Sequence, residues 1–250
     1  MCLVLWAYYR HPRYQLVLAA NRDEFYARPS APAHRWPEAP DVLAGRDLEA
    51  GGTWLGVSER GRLALVTNYR EPNRRAVGRR SRGWLTRDFL LENEPPAAYL
   101  ERVLSEGNAY NGFNLLVGDT ETLAYGSNRS DSIRVLAPGL YGLSNHLLGT
   151  RWPKVTRGLV AFEAILQHDS IDPEALLALL ADRTPRRMKR CRGQGWTWNG
   201  SVGFPPSLSR LLSTARVVRP YCSGTKTERS RLLNAPTGRA AVRSKPASTG

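Results

Sequence analysis

The chain has 250 residues, with 36 Lys plus Arg and 22 Asp plus Glu. That length is enough to bury a core in one large or two small domains. No apolar run approaches the roughly 18 residues a membrane helix needs, which excludes a helical integral membrane protein. Three cysteines (Cys2, Cys191, Cys222) and four histidines (His11, His34, His146, His168) are scattered, matching neither a disulfide framework nor a metal-ligand set. The opening Met1-Cys2-Leu3-Val4-Leu5-Trp6 has no basic segment before it and turns polar at Tyr8, unlike a secretory signal, so a cytoplasmic protein is expected.

The net charge of +14 is not spread evenly. Residues 1–182 hold 21 basic and 21 acidic side chains, while residues 183–250 hold 15 basic side chains and one acid, Glu228. In that last stretch only ten residues are Leu, Ile, Val or Phe and 28 are Gly, Pro, Ser or Thr, a composition that hardly supports a packed core. The chain therefore divides into a balanced globular part, 1–182, and a basic tail, 183–250.

In chain order, Cys2 to Tyr9 and Tyr14 to Ala20 are apolar runs broken by His11-Pro12-Arg13, which predicts a hairpin of two buried strands. Arg28 to Pro40 is polar and Pro-rich and reads as a surface loop. Thr53 to Val57 and Leu63 to Thr67 form a second strand pair around the turn Ser58-Glu59-Arg60-Gly61. Trp84 to Leu91 and Pro96 to Leu104 carry helical spacing; Phe113 to Val117, Leu123 to Tyr125 and Gly139 to Leu143 read as strands. Trp152 to His168 repeats apolar residues (Val155, Leu159, Phe162, Ile165-Leu166) every three or four positions, a helix. Asp172-Pro173 starts another that ends near Leu180. Strands at both ends with helices between predict an α+β domain.

Position 2 carries the most chemistry. If Met1 is removed, Cys2 becomes the first residue, and its α-amino group, with a pKa near 8, can serve as the base for its own thiol. No catalytic histidine is then needed. By position alone, a small apolar residue opening a buried strand is the commoner reading. Asn21-Arg22-Asp23-Glu24 leaves the second strand. There Asp23 could orient the amine and Arg22 could stabilise a thiolate or fix a carboxylate, although four polar residues in a row also make a solvated turn. Gly51-Gly52-Thr53-Trp54-Leu55-Gly56 allows close backbone approach. Asn68 and Asn145 each follow a strand, where an Asn amide can donate to an oxyanion or simply form a turn.

Together these segments, with Thr67-Asn68-Tyr69-Arg70, Gly112-Phe113-Asn114-Leu115-Leu116, Leu143-Ser144-Asn145 and Trp152-Pro153-Lys154-Val155, resemble the NRDE family, also called the Transport and Golgi Organization protein 2 family. The resemblance runs in order over residues 1–182. It implies an N-terminal-nucleophile hydrolase-like fold: a four-layer αββα sandwich of antiparallel sheets, incomplete here at the C-terminus. At lower similarity the chain resembles the penicillin V acylase and bile salt hydrolase group, whose mature N-terminal Cys attacks an amide carbonyl. That resemblance implies Cys2 as nucleophile, Arg22 and Asp23 beside it, and Asn68 and Asn145 on the oxyanion side. The larger group spaces its Arg and Asp three apart, whereas here they are adjacent. The implied activity is amidohydrolysis of a non-peptide C–N bond, with no cofactor required. The alternative comes from eukaryotic NRDE members linked to haem trafficking and to lipid or acyl-CoA metabolism: a non-catalytic carrier, with haem as a ligand. The implied partner is then a small-molecule amide, a lipid or haem; the sequence leaves the oligomeric state open.

The tail admits three readings: a nucleic-acid or anionic-surface arm with Trp196, Trp198 and Tyr221 for stacking, a dispensable disordered extension, or translation out of frame. The third is favoured over both others. Joining the last base of each codon to the next two turns Met188-Lys189 into Glu, Trp196-Thr197 into Asp and Trp198-Asn199 into Glu. The same frame permits Asp-x-Asp-Gly-Thr over Gly224 to Arg229, a hairpin signal. A single-base insertion or deletion near Pro185 would account for this, and would leave strand edges of the sheets unpaired.

Overall fold

The computed structural model describes residues 2–25, 27–71 and 80–181, apart from the side chains of Asp23 and Phe25, together with the strand backbones of 208–218 and 231–236. The first two apolar runs form strands β1 (Leu3–His11) and β2 (Tyr14–Phe25), which pair antiparallel with Leu3 opposite Asn21 and Tyr8 opposite Leu16. Strand β2 extends through Asn21-Arg22-Asp23-Glu24, so this segment is ladder rather than turn. There follow β3 (Ser30–Trp36), β4 (Ala39–Asp47), β5 (Leu55–Ser58) and β6 (Leu63–Asn68), then helices α1 (Arg82–Leu91) and α2 (Pro96–Ser105). Strands β7 (Phe113–Gly118), β8 (Leu123–Ser127), β9 (Arg134–Val135) and β10 (Gly139–Leu143) precede helices α3 (Pro153–Leu166) and α4 (Pro173–Leu180), and β11 (Leu208–Val218) and β12 (Arg231–Pro236) come last. Helix α4 starts where the sequence marks it: Pro173 takes the first turn and Asp172 Oδ1 accepts from Glu174 N at 3.0 Å.

The strands form two sheets, in the orders β10-β1-β2-β11-β12 and β3-β4-β5-β6-β7-β8-β9, and every pairing is antiparallel. The period-2 alternation of side chains explains the layers. In β1 and β2, Val4, Trp6, Leu16, Leu18 and Ala20 pack against Leu55, Leu63, Leu65, Leu116 and Tyr125 of the other sheet. The alternate residues Leu3, Leu5, Ala7, Val17 and Ala19 pack against Val155 and Phe162 of α3 and Leu176, Leu177 and Leu180 of α4. On the far side of the second sheet, Ala64, Val66, Phe113, Leu115 and Val117 pack against Leu85 and Phe89 of α1 and Leu100 and Val103 of α2. Three apolar interfaces thus separate four layers, α3/α4, sheet, sheet, α1/α2: the αββα sandwich that the family resemblance implies. The runs in β1 and β2 are unbroken in hydrophobicity because both faces are covered. Each fully buried large side chain such as Trp6 or Leu18 contributes about 1.5–3 kcal/mol.

The structure differs from the sequence reading at Arg28 to Pro40. That stretch is not a loop: it supplies β3 and the start of β4. Strand β3 is an edge strand, and its register slips between Ala31 and His34, around Pro32 and its missing N–H. Edge position and a bulge accommodate prolines that a central strand would reject. The short β9 has no signal in the sequence.

Two segments of the tail enter the fold. Strand β11 pairs along β2 from Val218 opposite Leu16 to Leu208 opposite Phe25, and β12 pairs with β11. Seven of the tail's ten Leu, Ile, Val and Phe residues fall in these strands, a local concentration that the average composition hides. The β2 edge is therefore paired. The remainder of the tail, with Trp196, Trp198 and Tyr221, lies outside the described residues.

Candidate active site

The alternation that builds the inter-sheet layer also delivers its polar end. Strand β1 sends Val4 and Trp6 between the sheets, so Cys2, two residues earlier, belongs to the same face. Continuing the strand registers past Leu3 opposite Asn21 and Val4 opposite Leu143 places Arg22 on one side of Cys2 and Asn145 on the other. From the second sheet, Thr67 and Asn114 stand opposite each other on β6 and β7, on the face shared by Leu65 and Leu116.

Cys2 is buried, with 8% of its surface exposed, and is a free thiol. Its carbonyl oxygen accepts two hydrogen bonds, from Lys154 Nζ at 2.6 Å and from Ser144 Oγ at 2.8 Å. Asn145 neighbours its side chain and favours the ionised thiol. Burial pushes the thiol pKa above its ordinary value; the positive charges of the chain's amino terminus, Lys154 and Arg22 and the neighbouring Asn145 oppose this without overcoming it. The resting thiol is therefore neutral at pH 7. Positive charge stands ready around it for the thiolate, should a base remove the proton.

Asn145 is held on several sides. Its Nδ2 donates to the Asn68 carbonyl at 3.0 Å, and its own carbonyl accepts from Arg70 N at 2.8 Å. Next to it, the Ser144 carbonyl accepts from Thr67 Oγ1 at 3.0 Å, and the His146 carbonyl accepts from Asn114 Nδ2 at 3.1 Å. Tyr125 completes the group by donating to Asn114 Oδ1 at 2.7 Å while its oxygen accepts from Leu148 N at 3.0 Å. These buried polar groups are satisfied by one another, and this fixes the segment after β10 against the strand ends of β6, β7 and β8.

The Gly51-Gly52-Thr53 segment seats the start of α1. Gly51 has φ of +71°, and a Cβ on Gly52 would lie 2.5 Å from the backbone carbon of Gly83. Only glycine permits that approach, across which Thr53 N donates to Gly83 O at 3.1 Å. The contact sets Arg82, the first residue of α1, beside the site: its Nη1 donates to Gly112 O at 3.1 Å, and it lies within electrostatic reach of Cys2, Arg22 and Glu24.

Of the residues expected from sequence, Cys2, Arg22 and Asn145 come together. Asn68 adjoins them through its carbonyl; its side chain is exposed, on the strand face of Ala64 and Val66. Asp23 lies on β2 opposite Leu211, and the role expected of its carboxylate falls outside the described side chains. Lys154, Ser144, Thr67, Asn114 and Arg82 were missed. All but Arg82 lie in the segments that carry the family resemblance, which is the signal that could have found them.

Among the described residues no three His, Cys, Asp or Glu side chains could jointly hold a metal ion. Nor does the site offer a free ligand to haem iron. His146 uses both ring nitrogens, toward Tyr69 and Thr150, His11 uses both, toward His168 and Arg13, and the Cys2 thiol is buried against Asn145. No helix among the described residues is long and apolar enough to cross a membrane.

Fold and site together define a four-layer αββα protein with a cysteine at the head of a central strand, facing an asparagine and flanked by cations. The sequence pattern of Transport and Golgi organisation 2 matches residues 1–229, and the chain belongs to that family. It is 41% identical over 249 aligned positions to the Transport and Golgi organization 2 homolog of Mus musculus and to that of Homo sapiens, each match covering 94% of this chain and 89% of the relative. Against the Drosophila melanogaster Transport and Golgi organization protein 2 it is 33% identical, covering 91% and 86%. Among solved structures it is similar to a penicillin V acylase from Agrobacterium tumefaciens (TM-score 0.45, 10% identity, 94% of this chain and 86% of that one). It is also similar to a Caenorhabditis elegans ortholog of N-acylethanolamine-hydrolyzing acid amidase (TM-score 0.40, 8% identity, 85% and 92%).

Proposed function

We propose that the chain is a cytoplasmic amidohydrolase in which Cys2, once Met1 is removed, attacks a non-peptide amide. The α-amine takes the thiol proton and Sγ bonds to the carbonyl carbon. The carbonyl oxygen becomes an oxyanion facing Asn145 Nδ2, an amide that the Asn68 carbonyl holds in place. The C–N bond then breaks, the leaving amine takes the proton back from the α-ammonium, and water hydrolyses the thioester. Arg22 and Lys154 favour the thiolate, and Asp23 orients the amine. No cofactor takes part. The observation that carries this reading is the strand pairing that sets Arg22 and Asn145 on either side of Cys2, with Lys154 on the Cys2 carbonyl.

The experiment is intact mass with N-terminal sequencing, followed by an amide screen. Loss of Met1, a free amine and one equivalent of thiol-directed label at Cys2, with turnover lost in Cys2→Ser, support the hydrolase. Retained Met1 or an acetylated amine refutes it. One observation favours a second reading, a non-catalytic carrier of haem or a lipid or acyl-CoA as cargo: burial outweighs every charge that would ionise Cys2. A carrier binds its cargo unchanged when the N-terminus is blocked.

A further inference from the structure

We infer that the ligand of the Cys2 site carries a small anionic group, a carboxylate by preference, beside the atom that faces Cys2, and that Arg82 binds that group. The inference deepens the proposed function and rests on Cys2 lining a ligand site, whether or not it hydrolyses.

Two cations, Arg22 and Lys154, act on the Cys2 thiol, and a third, Arg82, stands within electrostatic reach of it; they are not equivalent. Arg22 is engaged by Glu24, Nη2 to Oε2 at 2.5 Å. Lys154 holds the Cys2 carbonyl. Arg82 is different. It is partly buried, and its one described hydrogen bond goes to the Gly112 carbonyl, which already accepts from Tyr69 N at 2.9 Å. No carboxylate among the described residues hydrogen-bonds it. A guanidinium has five N–H donors, and taking it out of water without an anionic partner costs free energy. Burial indeed lowers its pKa, with the nearby Glu24 charge failing to compensate.

The placement of Arg82 is built. The Gly52–Gly83 contact fixes the start of α1, and the N-terminal end of that helix adds positive potential at the same point. The Gly112 carbonyl that Arg82 grips adjoins Tyr69, the residue after Asn68, whose carbonyl holds Asn145 against Cys2. Arg82 therefore stands near the side of the site where Asn145 meets Cys2. A planar fork with spare donors recognises a carboxylate bidentately.

The test uses two reagents of similar size at the same thiol, iodoacetate and iodoacetamide, with alkylation at Cys2 followed by peptide mass spectrometry. Both are also applied to the chain unfolded in urea, which supplies the intrinsic ratio of their rates. In the folded chain the iodoacetate-to-iodoacetamide ratio at Cys2 is expected to exceed the unfolded ratio by about tenfold, the worth of one charge-assisted hydrogen bond. Arg82→Gln should return the ratio to the unfolded value, whatever slowing of both reagents follows from the lost charge, and Arg82→Lys should fall between. An unselective folded chain overturns the inference. So does an Arg82→Gln chain in which both rates fall and the folded ratio persists, which marks a structural role, and so does a Cys2 that neither reagent reaches. Hydrolysis is read separately, by amine release from paired neutral and carboxylated amides. Selective labelling without turnover rejects the hydrolase and keeps the anion site; turnover of both amides alike with unselective labelling rejects the anion site alone.

Discussion

Replacing Lys154 by Met should raise the pKa of the Cys2 thiol by about one unit. The Lys154 ammonium lies 2.6 Å from the Cys2 carbonyl oxygen. Covalent geometry separates that oxygen from Sγ by about 3–4 Å, so charge and sulfur are within about 7 Å. At an effective dielectric near 20, this is worth roughly 2.4 kcal/mol. Lys154 is partly exposed, and screening reduces the figure to about 1–2 kcal/mol, or about one pH unit. Burial already holds the thiol above its ordinary value, and the lysine charge works against that shift. Losing the lysine therefore moves the midpoint further up. The assay is the pH dependence of iodoacetamide alkylation at Cys2, mapped by peptide mass spectrometry so that Cys191 and Cys222 do not contribute. Lys154→Arg should leave the midpoint within a few tenths of a unit. An unchanged or lowered midpoint in Lys154→Met would show that the lysine does not act on the sulfur, and the electrostatic account of the site would fall.

Three further outcomes follow from the same structure. Because folding raises the Cys2 pKa, the unfolded chain releases that proton first; the stability this gives is complete below about pH 8.5 and declines as pH rises toward the folded-state value. Urea midpoints should therefore fall between pH 8 and pH 9.5, and fall less in Cys2→Ala; equal slopes in the two proteins refute the linkage. Gly52→Ala forces a methyl into the backbone of Gly83, so it should cost about 1–3 kcal/mol and lower the melting temperature by roughly 2–12 °C, measured by calorimetry, whereas an unchanged melting temperature would show that the close approach is relaxed. We also propose that residues from about Pro185 onward are read out of frame. Sequencing the DNA across codons 180–195 should show a one-base insertion or deletion, and an intact frame refutes the proposal.

The sequence alone determined the αβ layering of residues 1–182 where hydrophobic period is strong. The unbroken apolar runs of β1 and β2, the three-four spacing of α3 and the Asp172-Pro173 start of α4 are local patterns, and local sterics and solvation decide them. The ordered motifs around Cys2, Arg22 and Asn145 pointed to the family and to the nucleophile proposed here. Period fails where a strand lies at an edge. Nothing in Arg28 to Pro40 distinguishes a loop from β3, because an edge strand needs neither alternation nor every N–H. The tail's strands escaped for a related reason: composition averages over 68 residues what Leu211, Leu212, Val217 and Val218 concentrate in one strand. Tertiary structure alone decided the site's electrostatics. Lys154 is 152 positions from Cys2 and Ser144 is 142, yet both bond the same carbonyl oxygen. Arg82 reaches the site only because Gly52 lets the start of α1 come close. Hydrogen bonds and charge interactions depend on separation in space, and the distance between two residues of distant sequence is set by how the sheets stack.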